Sequence, residues 1–261
     1  MKKALALAAA VSCVLGFGLN AQAGELSIGA TPVPHAEVLE FVKPLVAKQG
    51  VDLKIVEFND YVQPNLATDD GDLDGNYFQH RPYLQTFIKD HGVNLVEICP
   101  VHIEPMGIYS KKVKDLKQVA DGAVVGIPND PTNGGRALLL LHSQGLIKLA
   151  DPTNITATVM DITENPHDLD IRELEAAQLP RALDDLDLAV INTNFAMQAD
   201  LIPNRDALAV EGADSPYVNI LVGNPESAKN PDMQILVKAL QSEDTRKFIE
   251  EKYKGAVLPA F

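Results

Sequence analysis

Residues 123–143 read AVVGIPNDPTNGGRALLLLHS, which is a short apolar run, a turn-rich loop and a second apolar run. Residues 123–127 predict a β-strand, residues 128–135 predict a loop, and residues 136–143 predict a helix. Strand–loop–helix units of this kind build α/β folds, whose ligands bind at the loops that follow the carboxyl ends of the strands. The stretch therefore predicts an α/β protein with a small-molecule site beside this loop.

The loop PNDPTNGGR combines two features that suit an anion. A Gly-rich turn before a helix exposes backbone N–H groups, and the helix dipole favours negative charge there. Arg136 adds a guanidinium group whose geometry matches a carboxylate. The loop lacks the Lys-Ser/Thr ending of a P-loop and the chain has no GxGxxG motif, so a carboxylate is favoured over a triphosphate or a dinucleotide. The alternative is a tight turn in which Arg136 pairs with a surface acid.

Strand-like and helix-like segments alternate along the rest of the chain as well. Periodicity predicts strands at residues 26–30, 51–58, 93–98, 188–191 and 218–222, and helices at residues 37–48, 83–91, 115–119 and 232–253. Pro44 is expected to kink or end the first of these helices. Asn230 and Ser242 are the expected N-caps within the last helical stretch.

Polar clusters follow several of the predicted strands. They comprise residues 59–61, 129–133 and 192–194, and Asn219 adds an amide within the segment SPYVN. An Asn side chain both donates and accepts hydrogen bonds, so it can serve an ammonium group and a carboxylate together. Because α/β folds place ligands at such strand ends, we expect the clusters to meet in one cleft. Turn-forming Asn is the alternative at each position taken alone.

Residues 76–83, NYFQHRPY, concentrate aromatic side chains in a chain that has 5% aromatic residues and no Trp. Phe78 and His80 share one face if the segment is extended. Aromatic side chains with a single polar group suit the wall of an apolar ligand pocket. The alternative is ordinary core packing with a His at the surface.

The sequence has no motif for metal binding or nucleophilic catalysis. His80, His91 and His102 are spaced by 11 residues, which no helix or strand brings onto one face. HxxxH, HExxH, CxxC and GxSxG motifs are absent, and the acidic residues 69–74 are interpreted as a solvated turn. Cys99 is interpreted as a buried apolar residue. We therefore expect no metal, no cofactor and no catalytic residue.

The first 23 residues have the features of a secretory signal peptide. A basic start is followed by an apolar stretch and by the small-residue pattern Ala21-Gln22-Ala23. We expect cleavage after Ala23 and a periplasmic mature protein. The alternative is a lipoprotein tether at Cys13, which ranks second because it leaves an apolar region of only about seven residues.

The composition limits the partners of the mature chain. Hydrophobic content of 46% and charged content of 22% are ordinary for a globular protein. The net charge is −14, and loss of Lys2 and Lys3 with the signal peptide would make it −16. A surface this acidic repels nucleic acid and anionic lipid. We expect a soluble monomer that binds no nucleic acid.

Taken in chain order, several segments together resemble the MetQ/NlpA family of methionine-binding periplasmic proteins, which serve ABC importers. They are FNDYVQPN (58–65), NYFQHRPYL (76–84), GIYSKKVKDL (107–116), IPNDPTNGGRALLLL (127–141), LAVINTNFA (188–196) and SPYVNILV (215–222). The resemblance extends from about residue 26 to the final helix. It implies a type II periplasmic-binding fold, in which two α/β lobes joined by a two-strand hinge close over the ligand. The implied lobes are residues 24–106 with 224–261, and residues 107–223.

The resemblance also implies a ligand, a partner and a set of contacts. The ligand would be an amino acid, with methionine expected, and the partners would be the permease and ATPase of an ABC importer. The implied contacts are Tyr61, Phe78, His80 and Tyr83 around the thioether side chain, and Arg136, Asn192 and Asn219 at the α-carboxylate and α-amino groups. Many members carry lipid on an N-terminal Cys, whereas the expected mature start here lacks one, so a freely diffusing protein is predicted.

Other functions stay open at this point. The same clamp could take a different amino acid or a methionine derivative. An enzyme of the same fold would need an acid/base group in the cleft, and His80 is the evident candidate. A surface adhesin or interaction protein would not need the Arg and Asn set.

Overall fold

The computed structural model describes residues 24–212 and 215–261. The predicted signal peptide, including Cys13, lies outside these residues. Within the two described ranges, no helix is both long and apolar enough to cross a membrane. Strands and helices alternate along the chain and form two separate main sheets, which confirms the predicted α/β class.

The chain builds one lobe, crosses to a second and returns to the first. The first part contributes β1 (Gly24–Ala30), α1 (Glu37–Ala47), β2 (Val51–Glu57), α2 (Gln63–Asp69), β3 (Gly75–His80), α3 (Arg81–His91) and β4 (Val96–Ile103). The second lobe contributes β5 (Gly107–Tyr109), β6 (Val124–Pro128), α4 (Pro131–Ser143), β7 (Lys148–Leu149), β8 (Ile162–Glu164), β9 (Asp170–Leu174), α5 (Leu179–Ala182), β10 (Leu188–Ile191), α6 (Thr193–Gln198), α7 (Pro203–Asp206) and β11 (Ala209–Val210). The returning part contributes β12 (Val218–Gly223), α8 (Pro231–Leu240), α9 (Glu243–Tyr253) and β13 (Leu258–Pro259).

The two main sheets have mixed strand directions. The first has the order β13-β4-β12-β3-β1-β2, in which β1 is parallel to β2 and β3 while β12 runs antiparallel to β3 and β4. The second has the order β11-β5-β10-β6-β9, in which β6 is parallel to β9 and β10. The parallel strands of each sheet are followed by loops and helices, so their carboxyl ends are the expected places for a ligand.

Strand β12 corrects the predicted boundary between the lobes. It hydrogen bonds to β3 on one side and β4 on the other, so it belongs to the first sheet and not to the second lobe, where the sequence analysis placed it. Two segments connect the lobes. They are the first crossover, residues 104–106, and the second crossover, residues 211–217, of which 213 and 214 are not described.

Helix α4 begins five residues earlier than the sequence pattern predicted. The Asp130 side chain accepts a hydrogen bond of 2.9 Å from a backbone N–H of the first turn, and Pro131 occupies the first helical position. The glycines lie inside the helix, and glycine is required at position 135 because a Cβ there would lie 2.5 Å from the carbonyl oxygen of Ile155. The prediction of a Gly-rich loop open to an anion is therefore wrong, since the helix carries its own carboxylate cap and Arg136 lies in its second turn.

Two further helix predictions are refined. Helix α1 continues past Pro44 to Ala47, and because Pro44 and Glu40 are both exposed, water can reach the carbonyl that lacks a helical N–H partner. The predicted helix at residues 232–253 is divided into α8 and α9. The predicted caps are confirmed, because Asn230 and Ser242 each accept a backbone hydrogen bond at the start of one of these helices.

Each lobe has its own apolar core. Ile28 of β1 and Leu39 of α1 belong to the core of the first lobe, whereas Ile127 of β6 and Leu141 of α4 belong to that of the second. Cys99 is buried in the first core, and burial raises the pKa of its thiol to about 12. The prediction that Cys99 is a buried apolar residue and not a nucleophile is confirmed.

Candidate functional site

A cavity between the lobes is lined by side chains from both of them. The residues predicted from the sequence that line it are Tyr61, Phe78, His80, Tyr83, Arg136, Asn192 and Asn219. The lining residues that the sequence analysis did not select are Gln79, Glu104, Asn133, Thr193 and Asn194. Most of them follow the carboxyl ends of β2, β3, β6 and β10, so the structure brings the predicted polar clusters together.

One wall of the cavity is aromatic. The rings of Tyr61 and Phe78 stack with centroids 5.8 Å apart, and Tyr83 meets both rings edge to face. Tyr61 also lies 4.9 Å from the ring of Phe195, which belongs to the second lobe. The Tyr61 hydroxyl donates a 2.6 Å hydrogen bond to Oδ1 of Asn194 in α6. Tyr61 therefore links the two lobes as well as lining the cavity.

His80 is held as a neutral group at the start of α3. Its Nδ1 accepts a hydrogen bond from the backbone N–H of Tyr83, so its Nε2 carries the proton and donates to Oδ1 of Asn133 at 3.0 Å. Burial lowers the pKa of His80 to about 3, and the nearby Arg136 charge adds to this effect. The alternative of a surface His is excluded, since His80 is buried. A base with this pKa is not poised for proton transfer near neutral pH.

Amides from α4 and α6 form the polar wall. Asn133 donates to the carboxylate of Asp130, and its Oδ1 accepts from both His80 and Nδ2 of Asn192. Among the described residues, Oδ1 of Asn192 and Nδ2 of Asn194 are buried and have no hydrogen-bond partner. An unpartnered buried polar atom costs about 1–3 kcal/mol. One acceptor and one donor of the cavity lining are thus available to a ligand.

Arg136 is buried and is already engaged by the protein. Its Nε and Nη2 atoms donate to the carboxylate of Glu211 at 2.5–3.0 Å, and Nη2 also donates to the carbonyl oxygen of Glu104. The ring of Tyr217 lies 4.2 Å from the guanidinium carbon. The alternative of a tight turn with Arg136 paired to a surface acid holds only for the pairing, because Arg136 lies in a helix and Glu211, in the second crossover, is largely buried. Within the described chain only Nη1 makes no hydrogen bond, so this is the atom left for a ligand.

A buried cluster of His35, His102 and Glu104 lies next to the cavity. Nε2 of His102 is 2.7 Å and Nε2 of His35 is 3.1 Å from Oε1 of Glu104. Nε2 of His35 also lies 3.1 Å from Oδ1 of Asn219. Burial alone would raise the pKa of Glu104, but the two imidazoles outweigh it and hold that pKa below its ordinary value. Glu104 is therefore an ionised carboxylate at neutral pH.

The ligating atoms of this cluster lie within 4.8 Å of one another, so it is also a geometric candidate for a cation site. The far nitrogens are occupied, because Nδ1 of His35 contacts the Thr31 hydroxyl at 2.7 Å and Nδ1 of His102 contacts the Tyr77 hydroxyl. Hydrogen bonds thus account for every ring nitrogen of the cluster. No local sequence pattern indicates this cluster, because residues 35, 102 and 104 are brought together only by the fold.

Two α/β lobes connected by two crossovers, with a ligand cavity lined by both, define the substrate-binding proteins of the type II periplasmic-binding fold. The chain belongs to the NlpA lipoprotein family, whose model it matches over residues 26–261.

Its relatives and structural neighbours cover nearly the whole chain. The probable D-methionine-binding lipoprotein MetQ of Vibrio cholerae is 43% identical over 263 residues, which cover 99% of this chain and 97% of that protein. The D-methionine-binding lipoprotein MetQ of Escherichia coli is 46% identical over 236 residues, covering 89% and 87%. A nutrient-binding protein from Burkholderia cenocepacia, solved bound to methionine, superposes with a TM-score of 0.87 at 47% identity and covers 90% of this chain and 100% of that one.

Proposed function

We propose that this protein binds methionine, or a close analogue, in the cavity between its lobes and delivers it to an ABC importer. The observation that carries the proposal is the composition of that cavity, which joins an aromatic wall to buried amide groups and an arginine. An amino acid with an apolar side chain matches this lining, because its side chain is apolar and its α-carboxylate and α-amino groups are polar. The names of the relatives, which are D-methionine-binding lipoproteins, support methionine among such amino acids.

In this proposal the two ends of the ligand occupy different walls. The thioether lies among Tyr61, Phe78 and Tyr83, where sulfur–aromatic contacts each contribute about 0.3–1.5 kcal/mol. The α-carboxylate is bound by Nη1 of Arg136, assisted by the amide of Asn194, whose Nδ2 is unpartnered. His80 contributes an apolar ring face, since it stays neutral and its Nε2–H is used by Asn133.

The proposed mechanism is closure of the lobes on the ligand. The moving bodies are residues 24–103 with 218–261, and residues 107–210, and the crossovers between them act as the hinge. Tyr61–Asn194 and His80–Asn133 are hydrogen bonds between the lobes, so the structure corresponds to a closed form. A ligand that contacts both walls only in this form shifts the population towards it.

The test is a thermal-shift screen on residues 24–261 after unfolding and refolding to remove carried-over ligand. L- and D-methionine, methionine sulfoxide, a methionine dipeptide and the other amino acids are compared. A ligand at 100 times its Kd adds about 2.7 kcal/mol of stability, which corresponds to a shift of several degrees. A selective shift with methionine supports the proposal. A selective shift with another amino acid retains the clamp and replaces the ligand, whereas no shift at all overturns the binding function.

We also propose that the protein is a binding component without catalytic activity. The relatives are named as binding proteins. His80, the acid/base candidate of the sequence analysis, has a pKa of about 3 and serves as a helix cap. Incubation of the protein with methionine, followed by mass spectrometry of the ligand, should return it unchanged. A new product that forms in proportion to protein concentration would overturn this part of the proposal.

For the location we propose export followed by a lipid tether at Cys13, in place of the freely diffusing protein first expected. Both curated relatives compared above are named lipoproteins, and this favours the alternative that the sequence analysis ranked second. Mass spectrometry of the N-terminus in the native host decides between them. A lipidated Cys13 supports the tether, while a mature chain that starts at Gly24 restores the freely diffusing form.

A further inference from the structure

We infer that Glu104 accepts the protonated α-amino group of the ligand, so that the site selects zwitterionic amino acids over acids without an amine. The inference rests on the proposed function, because it assigns one end of the same ligand. Glu104 lies at the junction of β4 and the first crossover, in the lining of the cavity, and no sequence motif predicted a role for it.

The first observation is that one oxygen of Glu104 is fixed and the other is free. Oε1 receives Nε2 of His102 at 2.7 Å and Nε2 of His35 at 3.1 Å. Oε2 has no hydrogen bond to any residue in the described part of the chain, although an ionised carboxylate can accept several. Because Glu104 lines the cavity, a donor from the ligand is the natural partner for this oxygen.

The second observation is that two buried imidazoles fix the orientation of the Glu104 carboxylate. Burial lowers the pKa of His102, and the carboxylate of Glu104 can only accept, so His102 donates through Nε2 and its Nδ1 accepts from the Tyr77 hydroxyl. Nδ1 of His35 lies 2.7 Å from the Thr31 hydroxyl, which holds this second imidazole in place. The side chains of Glu104, His35 and His102 are each at most 6% exposed, so the orientation of the carboxylate is set before a ligand binds. A preorganised acceptor contributes more to affinity because no ordering cost remains.

The third observation is the balance of charge at the cavity. The positive charge of Arg136 is matched by the bidentate carboxylate of Glu211. Among the described residues, no Lys or Arg forms an ion pair with the carboxylate of Glu104, and a buried anion is costly unless it is paired. An ammonium group supplies the missing charge, whereas a hydroxyl or keto group does not. Asn192, with its unpartnered Oδ1, and Asn219 provide further acceptors in the same lining.

The first measurement uses the unmodified protein and needs no folding of a variant. Binding of L- and D-methionine is compared by calorimetry with that of both enantiomers of 2-hydroxy-4-(methylthio)butanoate, in which a hydroxyl replaces the amine. Loss of a charged donor opposite a buried carboxylate should weaken binding about 100-fold or more. Equal affinity for the amino and hydroxy acids would overturn the inference. Failure of both compounds to bind would overturn the proposed function and the inference with it.

The second measurement compares Glu104→Gln with Glu211→Gln. In Glu104→Gln the amide oxygen can still face the imidazoles, but an NH2 group then faces the ammonium, so methionine should bind about 10- to 100-fold more weakly while the hydroxy acid is little affected. Glu211→Gln is the matched control, since it disturbs Arg136 and should weaken both compounds to a similar extent. If Glu104→Gln also weakens both compounds equally, Glu104 is not the amine acceptor.

Discussion

At the residue scale, Arg136 is expected to contribute both to ligand binding and to the stability of the fold. It is the candidate carboxylate ligand of the cavity, and it also ties α4 to both crossovers through Glu211 and the carbonyl oxygen of Glu104. A guanidinium with five donors can serve both roles because Nη1 remains available. The cation over the Tyr217 ring adds a contact with the second crossover. A change in Arg136 should therefore affect folding as well as binding.

We predict that Arg136→Ala lowers the free energy of unfolding by about 3–5 kcal/mol, because it leaves the buried carboxylate of Glu211 without its partner. It should also weaken methionine binding by more than about ten-fold. Urea denaturation at pH 7 measures the first effect and calorimetry measures the second. The double variant Arg136→Ala/Glu211→Gln should recover part of the stability and none of the affinity. Unchanged stability in Arg136→Ala would contradict the role of the ion pair.

His80 provides a prediction about pH. Its pKa of about 3 in the folded protein lies below the ordinary value of 6.5, so the unfolded chain binds a proton more readily than the folded one. His80 therefore stabilises the fold fully above the unfolded pKa, and this contribution is lost as the pH falls from about 6.5 towards 3, by up to about 1.4 kcal/mol per pH unit.

In His80→Asn the cap at the start of α3 is kept and the titrating group is removed. Urea denaturation at pH 7, 6, 5 and 4 should show a smaller loss of stability in this variant than in the unmodified protein. His91→Asn is the matched control, because it replaces an exposed histidine at the end of the same helix. Parallel profiles for His80→Asn and the unmodified protein would contradict the burial argument.

At the scale of elements, α4 shows how backbone packing can override the local pattern. Its two consecutive glycines look like a loop, yet Asp130 and Pro131 start the helix before them. Gly134 and Gly135 allow close approach of neighbouring backbone, because a Cβ atom would lie 2.9 Å from the Pro128 carbonyl oxygen at Gly134 and 2.5 Å from that of Ile155 at Gly135. Helix α4 can therefore pack closely against the neighbouring backbone, and this packing fixes the positions at which Asn133 and Arg136 reach the cavity.

We predict that Gly135→Ala destabilises the protein by about 1–3 kcal/mol, even though Ala favours helices. The reason is that the added methyl group would clash with backbone atoms, which can move only if the surrounding chain is distorted. Ser143→Ala, at the other end of α4, should change stability by less than about 0.5 kcal/mol. Thermal unfolding of the two variants gives the comparison. A more stable Gly135→Ala would show that the close contact with Ile155 relaxes freely.

At the scale of the whole molecule, the lobes contact each other both across the cavity and beside it. Beside it, Asn204 donates a 2.8 Å hydrogen bond to the carbonyl oxygen of Lys254, and Met197 and Ile202 pack against the core of the first lobe. Tyr61–Asn194 and His80–Asn133 are the hydrogen bonds described above, and the aromatic contact between Tyr61 and Phe195 accompanies them. A ligand that contacts both walls adds to these contacts and so shifts the population towards the closed form. The balance between open and closed forms should therefore respond to the loss of a single hydroxyl.

We predict that Tyr61→Phe, which keeps the ring and removes the bond to Asn194, weakens methionine binding about 2- to 10-fold without unfolding the protein. Small-angle scattering should show a larger radius of gyration in the ligand-free variant. Tyr253→Phe is the matched control, because its hydroxyl bonds to Glu37 within the first lobe. That change should lower stability and leave affinity unaltered. Equal affinities for Tyr61→Phe and the unmodified protein would remove this bond from the closure mechanism.

The local part of the structure could be predicted from the sequence. The strand at residues 188–191, the caps at Asn230 and Ser242 and the end of α3 before Gly92 depend on neighbours within a few residues, and each is confirmed. The predicted site residues also line one cavity, because short contiguous motifs place them at the carboxyl ends of strands. Their roles as ligand contacts stay predictions.

Contacts between distant segments were decided by the tertiary structure alone. Sheet pairing places β12 in the first lobe. Folding also joins Arg136 to Glu211, 75 residues apart in the chain, and brings His35 and His102 to one oxygen of Glu104. Local propensity cannot encode such contacts, because their geometry depends on topology and on which side chains are buried together. The sequence by itself thus determined many of the local elements, the family and the aromatic and amide motifs, whereas the fold decided which charges are paired and which remain available to a ligand.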